Sequence, residues 1–179
     1  MSQTNKLKEH RVMFTIGYST RTAQKFLLAL KSHGIRVLID VRTVPKSRHR
    51  PEFNKDMLSK YLHKNGIIYV HMKELGGLRK PSKDSKNVGW INASFRGFAD
   101  YMQTREFSSA IKKLQSIAVK KKVAIMCAEG NPFRCHRSLI ADAMLVRGYK
   151  VYEITGINGA SEHKLTGFAK VSGTHIKYP

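Results

Sequence analysis

The sequence predicts an α/β fold, a three-layer α/β/α sandwich on a mainly parallel sheet of about five strands. Three observations predict it. Short apolar, β-branched runs alternate with segments of helical period, the order that gives parallel strands joined by helices on both sheet faces. Three of the helical segments close on a glycine stop signal, Gly34, Gly66 and Gly148. The 179 residues suffice for one well-buried core and are too few for two typical domains.

The elements follow in order. Residues 1–10 are polar and charged and read as a flexible basic arm. "VMFTIGYS" is a short buried strand ending at Gly17. In "TAQKFLLALKSHG" Thr22 is the N-cap, and Phe26, Leu27 and Leu30 share one apolar face. "IRVLIDVR" is the second strand. "NKDMLSKYLHKNG" repeats the helix logic, with Asn54 as cap and Met57, Leu58, Tyr61 and Leu62 inward. "IIYVHM" is the third strand. Residues 73–93 are rich in Gly, Lys and Ser and lack a core period, so they form a long loop of the functional or mobile kind. "SFRGFADYMQTREFSSAIKKLQSIAVKKK" is helical with a break near Thr104. "VAIMC" is a strand, "CHRSLIADAMLVRG" a helix and "YKVYEI" the last strand. The single domain therefore runs over 11–155, and residues 156–179 are an irregular tail.

The charge is the unusual feature of the composition. There are 33 Lys and Arg against 12 Asp and Glu, a net +21. Such a surplus repels itself in a compact fold and calls for a polyanionic partner, nucleic acid (DNA or RNA) first. The competing reading is a solvated lysine surface. No apolar run has transmembrane length and the start lacks a signal-peptide core, so no membrane association and a cytoplasmic location are expected. Two cysteines in such a compartment are expected to be reduced.

In open parallel sheets, ligands bind beyond the carboxyl ends of the strands. That rule gathers Gly17-Tyr18-Ser19, Asp40-Val41-Arg42, His71 and Cys127-Ala128-Glu129 at one edge. Each has a chemistry. Glu129 is a carboxylate on an edge loop amid positive charge and can activate water as a general base. Asp40 is either its support or a buried ion-pair partner. Cys127, before a helix N-terminus and near Arg134 and Arg137, is a candidate nucleophile or a small residue closing its strand. His136 is a candidate support for catalysis. Cys127, Cys135 and His136 are three soft ligands, with His71 or Glu129 as a fourth. The two cysteines lack the two-to-four-residue spacing of common zinc motifs, so no metal or other cofactor is expected. Arg42, Arg48, Arg79 and Arg137 are candidates for gripping phosphate bidentately, with Tyr18 and Ser19 beside them. Tyr18, Phe53, Trp90 and Phe95 are candidates for stacking unpaired bases.

The chain resembles the family known as domain of unknown function 488. The likeness is carried by "TIGYS" (15–19), "LIDVR" with "P.SR" (38–48), "ELGG.R" (74–79), "FADYM.T..F" (98–107) and "MCAEGNPFRCHR" (126–137). The "CAE..P..CHR" pattern is the specific one. The resemblance implies a three-layer α/β domain and carries no activity with it. Tyr18 stands where many relatives have His. A fainter likeness to rhodanese-type domains lies in "LIDVR" and the later "CAEG…RS..A..ML..GYKVYEITG", but Pro132 and extra polar residues lengthen the loop that would hold a rhodanese nucleophile.

The expected function is that of a nucleic-acid-binding protein with a hydrolytic site at the sheet edge, processing lesions or modified bases as a glycosylase or nuclease-like enzyme does. Two alternatives stand beside it. One is a sulfurtransferase using Cys127, and the other is a nucleic-acid-binding module without catalysis.

Overall fold

The computed structural model describes residues 11–179, so the expected arm at 1–10 lies outside the described residues. Its core is a six-stranded sheet. The strands are β1 (Val12–Gly17), β2 (Val37–Asp40), β3 (Ile68–His71), β4 (Val123–Cys127), β5 (Lys150–Ile154) and β6 (Ala160–Glu162). They lie in the order β3-β2-β4-β1-β5-β6, all parallel except β6. The helices are α1 (Ala23–Ser32), α2 (Lys55–Lys64), α3 (Ala93–Tyr101), α4 (Arg105–Ala118) and α5 (Arg137–Leu145).

The two-residue period of the strands divides the core into two layers. Phe14, Ile16, Leu38, Ala124 and Met126 point to α1 and α2, where they meet Phe26, Leu30, Leu58 and Leu62. Their neighbours Met13, Val37, Ile39, Val123 and Ile125 point the other way, to α3, α4 and α5. This is the expected three-layer sandwich, and no described helix is long and apolar enough to cross a membrane.

Local signals account for most boundaries. The Thr22 hydroxyl accepts the Lys25 N–H at 3.2 Å and starts α1. Gly34 (φ 67°) ends it in the left-handed conformation a side chain disfavours. The break near Thr104 is a second cap, with its hydroxyl accepting the Phe107 N–H at 3.2 Å. Two details differ from expectation. Asn54 occupies the cap position of α2, but its side chain accepts the Ser47 N–H at 2.6 Å and ties down the preceding loop instead. Met57 is 59% exposed, because Leu58 and Leu62 already fill the inward stripe.

The loop over 73–93 is tethered. Asp100 on α3 accepts from the Ser82 N–H (2.9 Å), the Ser85 hydroxyl (2.6 Å) and the Asn87 amide (2.8 Å). Asn87 in turn accepts the Tyr178 N–H at 2.9 Å, joining the loop to the C-terminal segment.

The segment after residue 155 is not irregular. β6 adds to β5 antiparallel, and β7 (Lys170–Ser172) and β8 (His175–Lys177) form a hairpin. Ile176 and Tyr178 are buried in the α3–α5 layer, and the Tyr178 hydroxyl donates to buried Asp142 at 2.9 Å. The Gly, Ser and Lys content of this segment hid three-residue strands too short to show a period.

Candidate functional site

The strand register brings the expected edge residues level. Gly17 pairs with Cys127, Asp40 with both Met126 and His71. Beyond them the chain from Cys127 to His136 folds back through a 3₁₀ turn (Pro132–Arg134), started by the Asn131 side chain accepting the Phe133 N–H at 2.9 Å. The return sets the ends of the loop side by side. A cavity of about 300 Å³ opens there, lined by Tyr18, Arg42, Cys127, Glu129, Cys135 and His136, with Thr43, Val44, Gly77, Leu78, Ser94 and Phe95 among its other walls and the exposed cations Lys46 and Arg134 on its lining.

Arg137 organises the loop from below. It is fully buried. Its Nη2 donates to the Glu129 carbonyl at 2.7 Å and its Nε to Cys135 Sγ at 3.4 Å. Its Nη1 reaches Glu153 on β5 at 3.1 Å and the Thr15 hydroxyl on β1 at 3.3 Å, and that hydroxyl donates to Glu153. Arg137 is therefore the strut of the loop and is closed to a substrate phosphate. Glu153, an acid inside the apolar strand "VYEI", was not singled out in the sequence, although a charge at a core position is itself the signal of a buried partner.

Asp40 and Arg42 form a second internal frame. Asp40 is fully buried, and its carboxylate is taken up by Arg42 (2.6 Å) and the Tyr69 hydroxyl (2.5 Å). Of its two readings the geometry favours the buried ion-pair partner, since Arg42 and Tyr69 already take up the carboxylate. Arg42 also donates to the Phe53 carbonyl at 2.8 Å and the Tyr18 hydroxyl at 3.2 Å. It walls the cavity with four of its five N–H donors taken, one on Nη1 being left over.

The remaining candidates separate. Tyr18 lies flat on Phe53, with centroids 4.1 Å apart, and both are buried, so neither offers a free face to a base. Trp90 and Phe95 pack on each other at 4.8 Å. Arg79 lies over the Tyr101 ring at 3.6 Å and donates to the Gly76 and Glu74 carbonyls, bracing the long loop. Ser19 is exposed on the other side of the Glu129 loop, where its N–H donates to the Ala128 carbonyl at 3.0 Å. Arg48 is exposed and does not line the cavity. The His71 ring donates from Nε2 to the Arg42 carbonyl at 2.8 Å and lies outside the cavity lining. The aromatic the sequence reading passed over is Phe133, 79% exposed beside Arg134 at the loop tip.

What stays in the cavity is Glu129 and the cluster of Cys127, Cys135 and His136. Glu129 Oε1 accepts the Asn131 N–H at 2.9 Å, which orients the carboxylate and leaves Oε2 without a partner among the described residues. The two thiols lie within 4.8 Å of each other. The neighbouring Cys127 thiol holds Cys135 well below the usual thiol range against desolvation, with His136 and Arg137 adding to the effect. The nearness of Cys135, with burial, pushes Cys127 up.

Gly17 shows how closely the loop is fitted. A Cβ there would lie 2.0 Å from the Glu129 carbonyl oxygen, which Arg137 pins. Gly17→Ala must therefore shift the loop. It is expected to cost about 1–3 kcal/mol, the range for overpacking, seen as a lowered denaturant midpoint. A midpoint equal to wild type would show that the loop yields freely.

The family model described as "Domain of unknown function DUF488" matches residues 22–144, well over half of the chain. The "TIGYS" motif precedes the matched span. No curated protein and no solved structure matches the chain.

Proposed function

The chain belongs to the family described as Domain of unknown function DUF488, and because that description names no activity we propose a function from the site: the protein binds nucleic acid and acts on it hydrolytically, in the manner of a lesion- or modified-base-processing enzyme. The observation that carries this reading is Glu129, a carboxylate with one oxygen oriented by the Asn131 N–H, in a cavity whose outer residues are Lys46 and Arg134. The cavity is at the lower end of the range for small-molecule sites, about 300–1,000 Å³, and suits one flat base better than a folded chain. The net charge of +21 supplies attraction to phosphate, and exposed Phe133 beside Arg134 suits stacking on an unpaired base. A base within a duplex reaches such a cavity only by extrusion. In this reading Glu129 takes a proton from the attacking water, and Arg42, Asp40 and Arg137 hold the walls rather than the substrate.

Binding to single- and double-stranded DNA and RNA across a salt series is the test, followed by a search for base release or cleavage on substrates carrying modified bases. Affinity that falls steeply with salt, with product from at least one substrate, is expected. No affinity at low salt would remove the nucleic-acid partner. Strong affinity with no product from any substrate would leave a binding module.

A further inference from the structure

We infer that Cys127, Cys135 and His136 form a binding site for a thiophilic divalent cation, zinc foremost, with one coordination position open to the Glu129 cavity. The three ligand atoms lie within 4.8 Å of one another. Bonds of about 2.3 Å to sulfur and 2.0–2.1 Å to nitrogen at tetrahedral angles put ligand atoms roughly 3.6–3.8 Å apart. Cys135 Sγ and His136 Nδ1 are already 3.8 Å apart. Closing the set on an ion therefore needs side-chain adjustments of the order of an ångström and no change of fold.

The surroundings are those of a metal ligand set. His136 Nε2 is 3.0 Å from the Val41 carbonyl, which can only accept, so the proton sits on Nε2 and Nδ1 turns its lone pair toward the sulfurs. A ring nitrogen donating to a backbone carbonyl is the usual support of a ligating histidine. The Arg137 Nε–H points at Cys135 Sγ at 3.4 Å, as suits a thiolate. Two thiolates and a neutral imidazole cancel the charge of a divalent ion, so a buried complex carries no net charge. The seven residues between the cysteines do not oppose this, because the loop returns on itself and the strand end meets the helix start.

Three protein ligands leave a fourth position, the mark of a catalytic rather than a structural site. Cys127, His136 and Glu129 line the same cavity. This role rests on the hydrolytic reading above, although the site itself does not. A water in that position would pass its proton to Glu129, its hydroxide would attack the substrate's electrophilic centre, and Glu129 would return the proton to the leaving group.

The test is titration of reduced, chelator-stripped full-length protein with Co²⁺, followed by Zn²⁺. Expected are thiolate-to-cobalt charge-transfer absorption and the intense visible bands of a four-coordinate ion, saturating at a single equivalent and abolished by Zn²⁺. Cys127→Ser and His136→Asn should weaken binding by more than the roughly 10–100-fold typical of losing an outer-shell partner. The native spectrum needs no variant, so poor folding of either one leaves the test intact. Only the weak bands of a six-coordinate ion, or spectra unchanged in folded variants, would overturn the site. Saturable cobalt binding without turnover on any substrate keeps the site and removes the hydrolytic reading. Turnover by stripped protein at an undiminished rate removes the metal and keeps hydrolysis.

Discussion

Glu129→Gln is expected to lower turnover about 10²–10⁴-fold, the contribution of a positioned general base, while leaving the melting transition and the salt dependence of nucleic-acid binding as in the wild type. The separation follows from the geometry. The carboxylate uses one oxygen to accept the Asn131 N–H, a bond that the amide oxygen of glutamine also makes. The loop is otherwise anchored by the Glu129 backbone carbonyl on Arg137, which the substitution does not touch. Only the capacity to take a proton is lost. The variant also discriminates between chemistries better than any cysteine replacement does. Cys127→Ala would abolish a sulfurtransferase by removing its nucleophile and would abolish a metal-assisted hydrolase by removing a ligand. Glu129→Gln leaves the first active and disables the second. Single-turnover assays with the wild type as reference decide it, and a variant that retains full turnover with the same substrate would sink the role of Glu129.

The fold was legible in the sequence because its signals are local. Thr22, Gly34 and Thr104 mark boundaries that depend only on neighbours within a few residues, and the apolar runs of β1, β2 and β4 are nearly unbroken because both sheet faces are covered. The site was legible only as a location. The edge rule gathered the residues but could not sort them, since Asp40, Arg42 and Arg137 have the same composition as a substrate grip. What sorts them is pairing across the sheet. Arg137 is buried because β1 lies between β4 and β5, so that Thr15 and Glu153 meet its guanidinium beneath the loop. No separation along the chain reports a contact between residues 15, 137 and 153. The cysteines are the converse case. Their spacing argued against a shared ligand, yet the 3₁₀ turn at 132–134 brings Cys135 back to the end of β4.

Arg137→Met should be the most destabilising single change at the site, by about 3–5 kcal/mol, the cost of breaking a buried pair by removing one partner. The four contacts of Arg137 join β1, β5, the Glu129 loop and the start of α5. Desolvation works against its charge, and the Cys135 thiolate and Glu153 outweigh it, so the guanidinium is held above its ordinary value. Desolvation also raises Glu153, with Arg137 and Thr15 pulling the other way, so the carboxylate depends on its partners to stay ionised. Methionine removes the larger of those partners. Glu153→Leu alone is expected to harm the fold in the same manner, leaving the cation buried with only Thr15, Cys135 and a carbonyl around it. The double variant, Arg137→Met with Glu153→Leu, should recover most of the loss, because apolar side chains of similar volume often replace a buried ion pair at little cost. Urea unfolding of the four proteins measures this directly, and an interaction energy below about 0.5 kcal/mol, the lower limit for residues in one network, would show that the pair does not act as a unit. Recovery of stability need not restore the site. The Glu129 carbonyl still lacks its donor in the double variant, so the loop that carries the carboxylate and both cysteines is untied even in a stable fold. A double variant as stable as the wild type but defective in turnover and in cobalt binding would place the function of Arg137 in holding that loop.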